Sequence, residues 1–245
     1  MLKNFKLTIE YDGTDYHGWQ IQKNDRTIQQ EIEIALFTMT GERITLVGSG
    51  RTDAGVHALG QVANFTSKTK LAPDNFQNGL NSLIPEDIII RECCLVDKQF
   101  HARFSAKSKT YHYQILNRKT PSAVGRQYEW FISQKLDIEA MKAAACHISG
   151  THDFKAFEGT GSPRSHTTRS VITADIERDN DRIAFRIKAD GFLRYMVRNL
   201  TGTLVDVGLL KINPEDIKSI LASKDRSLAG PTAPPHGLFL INVEY

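Results

Sequence analysis

The chain has 245 residues, with 31 lysines and arginines against 28 aspartates and glutamates, a formal net charge of +3. With 40% hydrophobic and 24% charged residues it reads as a soluble globular chain, long enough for one large domain or two modest ones. No apolar run of about 18 residues occurs, which excludes a transmembrane helix, and the start MLKNFKLTIEYDG lacks the apolar core and cleavage site of a signal peptide, so the expected location is the cytoplasm.

FKLTIEY alternates strictly, with Phe5, Leu7, Ile9 and Tyr11 on one face, and predicts a half-buried strand. Thr27 with Gln30 forms a capping-box pattern, followed by a helical stripe of Ile28, Ile32, Ala35, Leu36 and Met39. A strand ITLVGS enters a glycine-rich loop and QVANFTS leaves it. A helix over PDNFQNGLNSL and a strand DIIIRECCLV complete a first half. Cys93, Cys94 and Cys146 fit no C-x-x-C pattern and are expected to be buried structural thiols.

After FHARFSA the pattern restarts with a strand KTYHYQILN. The stretch NRKTPSAVGRQYEW is the longest irregular piece, a candidate binding loop. Asp137 caps a helix carrying Ile138, Met141, Ala145 and Ile148. VITADIERDNDRIAFRIKA predicts a hairpin turning at Asp179-Asn180-Asp181. A helix from about Leu193 to Val207, a second begun by Asn213-Pro214, and a closing strand GLFLINVEY follow. The expected class is α+β, in two similar halves over residues 1–105 and 106–245. Basic residues gather in KSKTYHY, NRKTPSAVGR and PRSHTTRS, interleaved with Tyr111, Tyr113 and Tyr128. A solvated charged face is the default for such runs, and a phosphate-tracking, base-stacking surface uses the same residues.

The loop GSGRTDAGVHA, Gly48–Ala58, carries the densest chemistry. A dinucleotide fingerprint fails because its third glycine position holds Asp53, and a phosphate loop fails because Val56 and His57 follow Gly55. A carboxylate in such a loop would also repel a phosphate. What remains is a plain tight turn or a catalytic loop built around Asp53. His57 reads as a residue that fixes the loop by hydrogen bonding. No H-E-x-x-H or His/Cys cluster with ligand spacing appears.

GSGRTDAGVHA resembles the signature of the tRNA pseudouridine synthase A family, in which the aspartate after R-T is catalytic. Tyr11-Asp12-Gly13-Thr14 with Gly18-Trp19-Gln20 resembles the family's opening. FHARFSA, KTYHY, GTHDFKAF, GFLRYMVRNL and the closing GLFLINVEY follow in the family's order. The resemblance implies conversion of uridine to pseudouridine at nucleotides 38, 39 and 40 of the tRNA anticodon stem-loop. It also implies a homodimer, no metal or organic cofactor, and two α/β halves, mainly antiparallel, whose sheets join across a central active-site cleft.

Residue by residue, the resemblance gives Asp53 the chemistry at ribose C1′. Positive charge develops there as in glycosidic cleavage, and a carboxylate can stabilise or trap it. Asp53 acts either as nucleophile on C1′ or as base on the 2′ hydrogen, and the residues leave both routes open. Arg198 maps onto the arginine that keeps the carboxylate ionised, although helical periodicity alone puts Arg198 off the apolar stripe, as a surface residue. Tyr111 maps onto the tyrosine that stacks on the flipped uracil, while Tyr113 on the same strand face reads as packing. Arg51 maps onto the arginine that enters the RNA to displace the base; without the family it is a loop arginine in a surface ion pair. A non-catalytic RNA-binding module lacks the RNP1 consensus in this sequence. A nucleoside hydrolase normally needs a second carboxylate, and the loop has none.

Overall fold

The computed structural model describes residues 2–159, 161 and 166–245. The chain divides into two compact units, residues 1–107 with Phe239–Tyr245, and Ser108–Leu238.

The first unit contains β1 (Lys3–Tyr11), α1 (Ile28–Thr40), β2 (Val47–Gly48), β3 (His57–Ser67), α2 (Pro73–Leu83) and β4 (Ile88–Val96). The final strand β10 (Leu238–Glu244) returns to it, so residues 239–245 pack with the first unit although they follow the second in sequence. β1 pairs antiparallel with both β4 and β3, and β10 runs parallel to β3. The alternation of β1 does what period two requires: Phe5, Leu7, Ile9 and Tyr11 are buried. Phe5 stacks on Phe65 of β3 at 5.2 Å, and Phe76 of α2 meets both rings edge-on at 4.8 and 5.2 Å. This aromatic cluster ties α2 to the sheet.

The second unit contains β5 (Ser108–Asn117), β6 (Trp130–Ile132), α3 (Ile138–Cys146), β7 (Gly150–Asp153), β8 (Thr168–Asp179), β9 (Arg182–Ala189), α4 (Met196–Gly208) and α5 (Asp216–Ser223). β5 pairs with β9, β9 with β8 and β8 with β7, all antiparallel; β6 joins β5 in parallel. The expected hairpin is present. Asp179 faces Arg182 across a turn whose Asn180 has φ +53°, a conformation asparagine tolerates. Asp137 caps α3 by accepting the Ala140 N–H at 3.0 Å.

Several expectations change. The ITLVGS strand shrinks to two residues, because β2 is only a short partner at the mouth of the glycine loop. β6 and β7 are too short to leave a periodic signature. α4 begins at Met196 and is buried nearly all round, its polar Asn199, Thr201 and Thr203 included. A stripe-and-surface reading therefore misplaces Arg198, which is half-buried. Of the thiols, Cys93 is buried, and burial with the neighbouring Cys94 pushes it up to about 12. Cys94 is only half-buried and Cys146 is exposed. Arg164, in the third basic stretch, lies outside the described residues.

The capping box is also absent. Thr27 sits at the N-cap of α1 in extended conformation, but its side chain makes no cap bond, and its buried Oγ1 has no partner. A buried hydroxyl without a partner costs stability, whereas a true cap contributes about 1 kcal/mol. Thr27→Val, which keeps the shape and the extended backbone, is expected to raise the unfolding free energy by up to about 1 kcal/mol in urea titrations. A loss of that size would show instead that the hydroxyl caps the helix in solution.

Candidate active site

In the first unit, the glycine loop leaves β2 and re-enters the sheet at β3, and buried polar bonds fix both of its ends. Ser49 N–H donates to the Val62 carbonyl at 2.7 Å, and its hydroxyl donates to Gln61 Oε1 at 2.7 Å. Gln61 Nε2 donates to the Gly50 carbonyl at 3.0 Å. Ser49 and Gln61 are fully buried, so this is a satisfied polar knot beneath the loop. Thr52 Oγ1 shares a 2.8 Å hydrogen bond with the buried Tyr11 hydroxyl, and burial pushes ionisation of that phenol well above its ordinary range.

The segment from Tyr11 to Trp19 then wraps the outside of the loop. Trp19 N–H donates to the Thr52 carbonyl at 3.1 Å, and Gly55 N–H donates to the Tyr16 carbonyl at 3.2 Å. Two glycines make this approach possible. A Cβ on Gly13 would lie 2.1 Å from the Val56 carbonyl oxygen. One on Gly18, at φ +90°, would lie 2.5 Å from the Thr52 carbonyl oxygen and 3.0 Å from the Asp53 carbonyl carbon. Gly48 lies flat under the Trp19 indole, where a Cβ would come within 2.7 Å.

Asp53 sits at the top of this arrangement, half-buried, with its carbonyl accepting the Val56 N–H at 3.2 Å across a tight turn completed by Gly55 at φ +74°. Arg51, two residues before it, is exposed. His57 follows at the start of β3, 1% exposed and stacked at 4.7 Å on Phe239 of β10. Its Nδ1 accepts the Gly13 N–H at 3.0 Å and lies 3.1 Å from Asp12 Oδ1. The Gly13 bond ties the opening segment to the loop through His57, the fixing role expected of it.

In the second unit, Tyr111 and Tyr113 project from one face of β5. Tyr111 is 8% exposed and meets Phe192 edge-on at 5.0 Å. Tyr113 is fully buried, edge-on to Trp130 at 6.3 Å, and its hydroxyl donates to the Pro234 carbonyl at 2.7 Å. Arg198 lies in the first turn of α4. Its Nε donates to the Ala233 carbonyl at 2.7 Å, and its guanidinium carbon lies 5.0 Å from the Tyr195 ring centroid. Tyr195 enters the helix with φ +60°, and the ring is so close to Gly159 that a Cβ there would come within 2.3 Å.

Arg51 and Asp53 thus share one loop of the first unit, while Tyr111 and Arg198 stand in the second. The sequence pattern gave no sign of the Ser49–Gln61 knot, the Tyr11–Thr52 bond or the Ala233 carbonyl. Only Gln61, a polar residue at an inward position of QVANFTS, carried a signal that could have been read. In the NRKTPSAVGRQYEW stretch some of the basic charge braces the loop itself. Arg118 donates to the Thr120 and Pro121 carbonyls and Arg126 to that of Ala123. Among the described residues, no helix is long and apolar enough to cross a membrane, and no three His, Cys, Asp or Glu side chains are grouped to hold a metal ion.

The family profile described as tRNA pseudouridine synthase matches residues 7–105 and 144–245, covering the Asp53 loop and Arg198. Tyr111 falls between the matched stretches. Full-length similarity spans them. A protein named tRNA pseudouridine synthase A from Thermoanaerobacter sp. (strain X514) is 49% identical over 244 residues, covering all of both chains. Proteins of the same name from Acetivibrio thermocellus and Clostridium acetobutylicum are 48% and 45% identical, again over both full lengths. By this similarity the chain belongs to the tRNA pseudouridine synthase A family.

Proposed function

We propose that this chain isomerises uridine to pseudouridine in tRNA, at positions 38, 39 and 40 of the anticodon stem-loop, with Asp53 as the catalytic residue. One observation supports Asp53 above all: its carboxylate stands on a loop whose backbone is pinned from outside by Gly13 and Gly18 and from beneath by Ser49 and Gln61. A plain turn has no need of that much fixation. A group that must meet one ribose carbon does.

The reaction breaks the bond from ribose C1′ to base N1, turns the uracil, and forms a bond from C1′ to base C5. The C5 proton leaves and N1 gains a proton, so substrate and product are isomers, and no oxidant, hydrolytic water or cofactor is consumed. Positive charge at C1′ in the transition state calls for an ionised carboxylate, which Asp53 supplies as nucleophile on C1′ or as base on the 2′ hydrogen. Arg198, oriented through Ala233, keeps that carboxylate ionised. Tyr111 offers its ring to the flipped uracil. Exposed Arg51 enters the RNA and fills the gap, since unstacking a base costs roughly a few kcal/mol.

This reading treats residues 1–105 and 106–245 as two similar α/β halves whose sheets join across a central cleft. There Asp53 and Arg51 from one side would meet Tyr111 and Arg198 from the other. It also takes the working enzyme as a cytoplasmic homodimer that needs no added cofactor.

Two outcomes test it. Asp53→Asn is expected to abolish pseudouridine formation while leaving tRNA affinity within about threefold, because the carboxylate is assigned to chemistry and not to binding. Retention of even about a tenth of wild-type turnover by carbodiimide-based detection would remove Asp53 from the chemistry. For Arg198→Met, loss of the guanidinium makes the ionised carboxylate less favoured. Activity that depends on that form is then lost at a higher pH as the solution is acidified, so the acid limb of the single-turnover profile moves up. Arg198→Lys is expected to restore only part, since an ammonium keeps the charge and loses the planar fork. Superimposable profiles for all three proteins would leave Asp53 in need of another partner.

A further inference from the structure

Residues 226–234 form a strap lying directly on the backbone of α4. A Cβ on Gly202 would lie 1.7 Å from the Pro231 carbonyl oxygen, and one on Gly230 would lie 2.7 Å from Thr203 Cα. The end of this strap touches Arg198, a residue of the proposed chemistry, and β5, the strand that carries Tyr111. Ala233 accepts from Arg198 Nε at 2.7 Å and returns its own N–H to the Arg198 carbonyl at 3.1 Å. Pro234 accepts the Tyr113 hydroxyl at 2.7 Å, two residues along β5 from Tyr111. A shift of the strap would therefore turn the Arg198 guanidinium.

The strap is gathered by Arg226. Its Nη1 donates to the carbonyls of Ala229 at 3.2 Å and Gly230 at 2.9 Å; its Nη2 donates to Asn199 Oδ1 at 3.0 Å and Thr232 Oγ1 at 3.1 Å. Thr232 in turn donates to the same Asn199 oxygen at 2.6 Å, and Asn199 Nδ2 donates to the Phe157 carbonyl at 2.8 Å. Asn199 is fully buried and is the residue next to Arg198. All four acceptors of the Arg226 guanidinium are neutral oxygens. A cation placed this way contributes geometry, because its rigid fork spans strap and helix together.

We infer that Arg226 is a positioning residue for the isomerisation, holding the 226–234 strap on α4 so that Ala233 orients Arg198. The inference rests on the reading of Arg198 given above. Arg226 is half-buried at the rim of the unit, so its removal leaves the apolar core in place.

The test compares Arg226→Met, Arg226→Lys, Arg198→Met and the double methionine variant in full-length protein. Single-turnover rate against pH, tRNA dissociation constant and thermal midpoint are measured for each. Arg226→Met is expected to slow the reaction roughly tenfold to a hundredfold, as a misplacement of about 1 Å does. Its acid limb moves up in pH as that of Arg198→Met does, while tRNA affinity stays within about threefold. Arg226→Lys recovers part of the rate, because an ammonium reaches only some of the four acceptors. The double variant is no slower than Arg198→Met alone, since Arg226 acts through Arg198. Losses that multiply in the double variant, or an unchanged rate and pH profile in Arg226→Met, overturn the inference while leaving Arg198 in place. A silent Arg198→Met overturns both. Should Arg226→Met fail to fold, Thr232→Val, which removes one exposed link to Asn199, must give the same signature at smaller amplitude.

Discussion

The close approach of two backbones, at Gly13 and Gly18, is the constraint on which the placement of the Asp53 loop rests. Each glycine faces a carbonyl oxygen of the Asp53 loop at a distance no side chain would permit. Fixing an irregular loop costs about 1–2 kcal/mol of conformational entropy per residue. Here the cost is offset by bonds to main chain and buried side chains from β1, β3 and the Tyr11–Trp19 segment. The loop that carries the Asp53 carboxylate is thus held in place through its backbone.

The second unit applies the same logic to a cation. Arg198 could have been a flexible surface side chain. Instead it starts from a helix buried on almost every side and gives its Nε to a main-chain carbonyl. Electrostatic assistance to a reaction is strongest when the assisting group is oriented in advance, so that nothing needs to reorganise as charge develops. Backbone carbonyls suit this purpose because their positions are fixed by the fold and they carry no net charge of their own.

Much of the fold could be read in the chain's own patterning. The alternation in FKLTIEY, the helix over PDNFQNGLNSL and the turn at Asn180 are local signals, and each follows from a period or from one residue's backbone preference. What escaped was non-local. Periodicity cannot report that a helix is covered on both sides, so α4 read as amphipathic and Arg198 as a surface residue. Thr27 carried the pattern of a cap, but its hydroxyl is enclosed where no donor reaches it. Of the candidate site, Asp53, Arg51 and His57 were legible because they crowd into one short loop. The Ala233 carbonyl and Arg226 were not, because a main-chain oxygen has no letter in the sequence and Arg226 reaches α4 through the neutral side-chain oxygen of Asn199, 27 residues away.

The return of β10 to the first unit orders the way this protein can be made. Phe239 stacks on His57 beside the Asp53 loop, and the Tyr245 hydroxyl donates to the Ala102 carbonyl, so the first unit is closed by residues translated after the whole of the second. N-terminal domains commonly finish folding while the rest of a chain is still on the ribosome. In this chain the start of β3, at His57 and Ala58 beside the Asp53 loop, stays unpaired with β10 until Phe239 and Leu240 have emerged, after the second unit has been laid down.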